Sequence, residues 1–329
     1  MTKVLFIGDV HIKFNNLADI AVLEDVISRQ VCDLIVVAGD VLDSFERLNT
    51  QLLNIAYAFI ATCRRIAPVY LLVGNHDYIN NQQFLSQHHW MNGLKEWTDV
   101  TVIDRPVLSS DLNFLFMPYV PPGRFHEALS TIKDFDNLKS LSCIFAHQEM
   151  RNCKMGCITS QVGDEWPLDY PLIISGHIHE RQSPQPNILY PGSVISHSFA
   201  HDNQGLSLFI FDEGGLVEKR IQLGLVRKQI IRTDVKSLSS CDRHTVQKNI
   251  KFSVKDSLAN IVAFKKSIQY KSLLETGAHV VFQPVTALPI KESHDQSFQS
   301  FQSFQSILSG LVKKESDVEL EKDLLFVLA

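Results

Sequence analysis

No apolar run in these 329 residues approaches the roughly 20 that a membrane-spanning helix needs, so no membrane partner is expected. The opening Met1-Thr2-Lys3 leads straight into an apolar segment, without the charged and long apolar regions of a signal peptide. A soluble, cytoplasmic protein is the expectation. Cysteine is sparse and unpatterned. Of the six, Cys32, Cys63 and Cys143 sit in or beside apolar segments, where free thiols pack as small hydrophobes. Cys153 and Cys157 are loosely spaced with no second pair behind them, which disfavours a structural zinc site and suggests a loop with two free thiols. Cationic residues are the minority, 31 against 36 acidic ones, but they are unevenly spread. Residues 219–272 hold 13 Lys/Arg against Asp234, Asp242 and Asp256, a balance of +10 that leaves −15 for the remainder. One basic segment on an acidic body suggests a polyanionic partner for that segment.

What is present is a repeated pairing of strand with turn. Lys3–Ile7, Asp33–Ala38 and Val69–Val73 read as strands. Between them, Asn16–Val31 carries Ile20, Leu23 and Ile27 at helical spacing, and Leu48, Leu52, Ile55 and Phe59 do the same before Pro68. This β-α-β-α-β order predicts a parallel sheet with right-handed crossovers. A helix over Gln82–Met91, short strands near Val100–Ile103 and Phe114–Met117, and a helix over Arg124–Lys133 follow. Cys143–Ala146 and Leu172–Ser175 are strands again. Ile188–Tyr190, Ser207–Phe211 and Leu216–Ile221 are expected in a second sheet packed on the first. The main domain should span 1–224. A small α/β cap follows over 225–290, with a strand at Lys228–Thr233, one helix over Ser257–Thr276 stopped at Gly277, and a closing strand His279–Phe282. Residues 291–306 repeat Ser-Phe-Gln and read as a linker; 307–329 read as an amphipathic helix suited to docking a partner.

Five of the apolar segments end in polar groups that packing does not require. Leu5-Phe6-Ile7 gives way to Gly8-Asp9-Val10-His11, and Ile35-Val36-Val37-Ala38 to Gly39-Asp40. Leu71-Leu72-Val73 ends in Gly74-Asn75-His76-Asp77, Ile144-Phe145-Ala146 in His147, and Ile173-Ile174-Ser175 in Gly176-His177-Ile178-His179. In open α/β sheets the C-terminal strand edge is where sites are built. Asp9, His11, Asp40, Asn75, His147, His177 and His179 form a mixed oxygen and nitrogen donor set without thiolate, suited to Mn²⁺, Fe or Zn²⁺. Asp9 and His11, like His177 and His179, are two apart, which in extended chain points both to one side. Two such pairs with a bridging carboxylate suit two metals. Asp9 and Asp40 leave a surplus of positive charge for a phosphate ester. His76 is left to protonate a leaving oxygen, and Asp77 to orient its neighbours. His88, His89, His126, His197, His201, His244, His279 and His294 are read as ordinary core or surface residues.

Asp9-x-His11, Gly39-Asp40, Gly74-Asn75-His76-Asp77, His147 and Gly176-His177-x-His179 together resemble the signature of the calcineurin-like metallophosphoesterases. The resemblance covers about residues 3–221. It implies a four-layered α/β/β/α sandwich. It assigns Asp9, His11, Asp40 and His179 to one metal, Asp40, Asn75, His147 and His177 to the other, and a catalytic role to His76. Within that superfamily, Tyr190-Pro191-Gly192-Ser193, Ser198-Phe199 and Gln182 are similar to SbcD-type nucleases of DNA double-strand-break repair, phage-encoded members included. The place three residues after the bridging aspartate, histidine in some members, is Asp43 here. This resemblance implies a DNA-contacting cap, an SbcC-type SMC-like ATPase as partner, and pairing of two copies through the early helices.

The expected activity is therefore a Mn²⁺-dependent DNA exo- or endonuclease with two divalent ions. Arg227, Lys228, Lys265, Lys266 and Lys271 are the candidate DNA contacts from the basic segment. The alternatives are a phosphatase or cyclic-nucleotide phosphodiesterase of the same superfamily, which would leave the cap without a role, or a non-catalytic scaffold.

Overall fold

The computed structural model describes residues 1–45, 47–132, 138–199, 204–226, 228–241, 246 and 249–285. The Ser-Phe-Gln repeat, the expected C-terminal helix and Arg227 lie outside the described residues. In chain order the first half runs β1 (Thr2–Ile7), α1 (Leu17–Ser28), β2 (Leu34–Val37), α2 (Thr50–Arg64), β3 (Val69–Leu72), β4 (Val100–Ile103), β5 (Val107–Ser109), β6 (Phe114–Phe116) and α3 (Phe125–Leu129). Then come β7 (Cys143–His147), β8 (Lys154–Met155), β9 (Ile158–Thr159), β10 (Ile173–Gly176), β11 (Gln182–Gln185), β12 (Ile188–Tyr190), β13 (Leu206–Asp212) and β14 (Gly215–Ile221). The last described part holds β15 (Gln229–Thr233), α4 (Val235–Ser239), β16 (Ile250–Asp256), α5 (Leu258–Lys265), α6 (Ile268–Glu275) and β17 (His279–Pro284).

Two six-stranded sheets form the centre, in the orders β14-β13-β1-β2-β3-β4 and β11-β12-β10-β7-β6-β5. Successive residues of a strand point to opposite faces, and here both faces are apolar. Val4, Phe6, Leu34, Val36 and Leu72 meet Phe114, Phe116, Phe145 and Ile174 in one cluster between the sheets. The alternate residues Leu5, Ile7, Ile35, Val37 and Leu71 face α1 and α2 through Ile20, Leu23, Ile27, Ala56, Phe59 and Ile60. Leu115, Ile144, Ala146 and Ile173 face outward on the other side, against Phe125, Ala128 and Trp166. The layering is α/β/β/α, the expected mixed α/β architecture.

Several local expectations are corrected. β13 and β14 belong to the first sheet, not the second: β13 lies antiparallel on β1 and closes the edge that the parallel strands leave open. No helix forms over Gln82–Met91. There Asn80 Oδ1 accepts from the Gln82 amide, Ser86 Oγ accepts from the His88 amide and Leu85 has φ +46°, so side chains compete with the helical ladder. A 3₁₀ turn spans Trp90–Glu96 instead. The helix expected over Arg124–Lys133 is only the short α3. The single helix expected over Ser257–Thr276 is two, because Ser267 caps α6 by accepting from the Tyr270 amide. Gly277 follows α6 at φ +77°, as a left-handed helix stop does. β16, which the sequence pattern did not reveal, is the central strand of the parallel sheet β15-β16-β17.

Candidate metal centre

The polar strand ends converge from both sheets. β1, β2 and β3 deliver Asp9, His11, Asp40, Asn75 and His76; β7 and β10 deliver His147, His177 and His179. Donor atoms of Asp9, His11 and His179 lie within 4.8 Å of one another, as do those of Asp40, His147 and His177, and those of His11, Asp40 and His76. Asp40 Oδ2 is 3.5 Å from His11 Nε2 and 3.4 Å from His147 Nε2, so one carboxylate oxygen stands between the two groups. Asn75 Oδ1 lies 3.0 Å from His147 Nε2 and 2.9 Å from His177 Nδ1. All seven sequence-derived donors are thus brought together.

Backbone conformation, rather than extended alternation, makes this possible. His11, Asp40 and His177 have φ of +45°, +49° and +76°, left-handed values rare for such residues. The expected reason for the two-residue spacing is therefore corrected. The chain turns at His11 and at His177, and His177 and His179 go to different groups. Close approach also needs glycine. A Cβ on Gly74 would sit 2.3 Å from Asp40 Oδ1 and 2.4 Å from the Asp40 amide nitrogen.

A shell of hydrogen bonds fixes each donor. His147 Nδ1–H donates to the Ala38 carbonyl at 2.6 Å, which turns Nε2 toward Asp40. His11 Nδ1 lies 3.2 Å from Asp43 Oδ1, which also pairs with Lys13 at 2.9 Å. His76 Nδ1–H donates to the Asp43 carbonyl at 3.0 Å, its ring stacks on Phe45, and its amide donates to Asp40 Oδ1 at 2.8 Å. Asp77 is buried and does not face the donors. Its carboxylate accepts from the Gly74 and Val41 amides and from Trp90 Nε1 (3.0, 3.2 and 2.8 Å), so it is a positioning residue that ties the β2 and β3 loops together. The Pro191-Gly192-Ser193 turn serves the same end, since the Ser193 amide donates to the His179 carbonyl at 3.1 Å.

His197, placed by the sequence reading among ordinary histidines, packs at this centre. Its ring is 4.7 Å from that of His11 and 4.9 Å from that of His179, and its Nε2–H donates to the Asp9 carbonyl at 3.0 Å. Glu149 was also missed; its Oε2 lies 4.0 Å from His177 Nε2. His197 follows no strand end, whereas Glu149 stands two residues after His147, the spacing of Asp9/His11 and His177/His179.

The donors fit divalent cations. Asp9 Oδ2 is buried without a hydrogen-bond partner among the described residues, and His11 Nε2 and His179 Nε2 face each other at 3.1 Å. The electrostatics agree. Burial alone would lift the Asp40 carboxyl, yet His147, His11 and His76 hold it well below the usual range. Burial opposes charge on His147, but Asp40 outweighs it and raises the imidazole. The cage therefore favours positive charge at its centre. His177 goes the other way, pushed down to about 4 by burial and by His147, which keeps its ring neutral for ligation.

The basic candidates lie elsewhere. Lys228 Nζ donates to the Ser196 carbonyl at 2.6 Å, and Lys265 Nζ sits 4.8 Å from the Phe282 ring. Lys266 and Lys271 are exposed at the α5–α6 corner.

The profile of the calcineurin-like phosphoesterases matches residues 2–181, which carry every donor named above. This chain belongs to that family. Phosphoesterase 244L, so named, of Invertebrate iridescent virus 6 is 47% identical over 280 residues, covering 80% of this chain and 98% of its own. Its namesake 078R of Invertebrate iridescent virus 3 is 39% identical over 329 residues, covering 97% and 94%. A solved structure, a hypothetical protein from Thermus thermophilus, aligns over 66% of this chain and 99% of its own at 14% identity, with a TM-score of 0.33 too low to bear on the fold. As a calcineurin-like phosphoesterase, the protein hydrolyses phosphate esters. Asp9, His11, Asp40 and His179 would hold one divalent ion and Asp40, Asn75, His147 and His177 a second, while His76 stays at their edge. When bound, such a pair polarises the ester and activates water. Among the described residues no helix is long and apolar enough to cross a membrane.

Proposed function

We propose that this phosphoesterase is a DNA nuclease acting with Mn²⁺. The observation that carries the reading is a basic face remote in kind from the metal cage. β16 and β17 pack Phe252, Val254, Val280 and Phe282 on their helices. The opposite side of β15-β16-β17 then presents Arg232, Lys251 and Lys255 along a cleft of about 330 Å³, with Ser253 and Gln283 between them. A phosphodiester polymer satisfies both features at once: a scissile bond for the cage, and further phosphates for the cations. A small phosphomonoester or cyclic nucleotide uses only the first.

In this reading Asp40 and Asn75 bring the two donor groups together around the phosphoryl oxygens. His76, with Nδ1 committed to the Asp43 carbonyl, presents Nε2 to the leaving oxygen. The resemblance to SbcD-type nucleases supports the same substrate. It extends the proposal to an SbcC-type ATPase partner and to paired copies, checked by co-purification and by sedimentation of the full chain.

The test is a substrate panel. Full-length protein with Mn²⁺ is expected to degrade linear and hairpin DNA faster than it turns over p-nitrophenyl phosphate or a cyclic nucleotide. Intact DNA beside efficient monoester hydrolysis would overturn the nuclease reading and leave the phosphoesterase standing.

A further inference from the structure

We propose that Lys154 is a substrate-positioning residue, binding a phosphate oxygen of the ester held at the metal cage; the proposal rests on the phosphoesterase reading. β8 and β9 form a hairpin that overhangs the loop after β10. Between them lies a cleft of about 240 Å³, lined by Lys154, Met155 and Gly156 from the hairpin and by His177, His179 and Glu180 from the loop. Two candidate metal ligands and a lysine therefore line the same solvent-accessible cleft.

Lys154 is held there by its backbone. Its amide donates to Gln182 Oε1 at 2.7 Å, and Gln182 Nε2 donates back to its carbonyl at 2.8 Å. One glutamine side chain thus bonds both main-chain groups of Lys154, as a neighbouring strand would. From the other side, the Asn152 and Ser160 amides donate to the Ser160 and Cys153 carbonyls (2.9 and 2.8 Å), and Cys153 is buried. The Cα of Lys154 is fixed while its stem is free to swing.

The ammonium is uncommitted among the described residues. Lys13 is paired with Asp43, and Lys228 is engaged by Ser196. Lys154 has no ion pair or side-chain hydrogen bond among the described residues, although it is exposed beside the cage. A point charge on a four-carbon stem suits an anion whose position shifts between ground and transition state. Met155, half-exposed on the same hairpin, lines the cleft beside that charge and offers apolar surface on which the organic part of an ester can lie.

The experiment compares full-length wild type, Lys154→Met and Lys154→Arg, each loaded with Mn²⁺ to equal metal content. Two quantities are read: KM and kcat for bis(p-nitrophenyl) phosphate, and the Kd of inorganic phosphate by calorimetry. Lys154→Met is expected to raise both KM and the phosphate Kd about tenfold with kcat within about threefold, and Lys154→Arg to restore most of the loss. Gln182→Leu, which frees the hairpin but keeps the lysine, should give a smaller rise. Unchanged KM and phosphate Kd in Lys154→Met would overturn the proposal while leaving the phosphoesterase intact. Weakened phosphate binding in a protein whose wild type turns over no ester would support the lysine's role and count against the phosphoesterase reading instead.

Discussion

His76 and Asp40 touch, yet their replacement should fail in different ways. Asp40 Oδ2 stands between both donor groups, so Asp40→Asn removes a charge each of them needs. Metal content measured by mass spectrometry is expected to fall for both ions, and turnover with it. His76 bonds through its amide and Nδ1 to the Asp40–Asp43 loop, and among the described residues Nε2 has no hydrogen bond, which suits it for chemistry. His76→Ala should keep the metals and lose about 10²–10⁴ in kcat, the usual worth of a positioned acid. If the alanine variant turns over ester normally, His76 has no part in the reaction. Gly74 admits no such choice. An alanine methyl would overlap both the Asp40 carboxylate and its amide, and the loop cannot yield without moving the bridging oxygen. Gly74→Ala should cost about 3 kcal/mol in unfolding free energy, seen in urea titration, along with metal binding.

At the scale of elements, the 3₁₀ turn Trp90–Glu96 shows how the β3 loop is kept in place. Asp104, just past β4, is buried and accepts from Lys95 at 2.5 Å and from Arg105 at 3.2 Å, with His89 Nε2 at 3.4 Å. Burial alone would raise its pKa, but these three partners hold it below the usual carboxylate range. A folded pKa below the unfolded value near 3.9 gives stability that is present above about pH 4 and lost as pH falls through the folded value. Asp104→Asn should therefore cost about 2 kcal/mol at pH 7, and the gap from wild type should close progressively below pH 4 in urea titrations. An equal gap at pH 7 and pH 3 would show that Asp104 acts through shape alone. Such a contact was not legible beforehand, because nothing in the pattern joins residues 89, 95 and 104. The strands were legible, since Val4–Ile7, Leu34–Val37 and Cys143–Ala146 are apolar on both faces. So were the seven donors, because each follows a strand end in a glycine- or alanine-led turn. Which sheet β13 joined was not, because its sequence fits either edge. His197 stayed hidden for a similar reason: it reaches the cage from a loop, and only the fold brings it beside His11.

For the whole molecule, charge distribution decides what the cage can meet. The chain is acidic overall, at −5, yet 13 of its 31 Lys/Arg fall within residues 219–272, the stretch that contains β15 and β16. Two residues first expected to meet DNA are already engaged: Lys228 anchors the module to the Ser196 loop, and Lys265 covers Phe282. Arg232, Lys251 and Lys255 are differently placed, on neighbouring positions of β15 and β16, where Arg232 pairs in register with Ser253 between the two lysines. At about 3.3 Å per residue the two lysines stand about 13 Å apart, with Arg232 on the adjacent strand about 4.8 Å to the side of their midpoint, a spread that several backbone phosphates can span. Each cation that neutralises a phosphate releases counterions and steepens the dependence of affinity on salt by about 0.9 in log–log slope. The Arg232→Ala, Lys251→Ala, Lys255→Ala triple variant should weaken duplex binding at low salt and flatten that slope by about 3, measured by fluorescence anisotropy, with circular dichroism confirming the fold. A slope identical to wild type would take this face out of DNA binding, and the nuclease reading would lose the observation on which it rests.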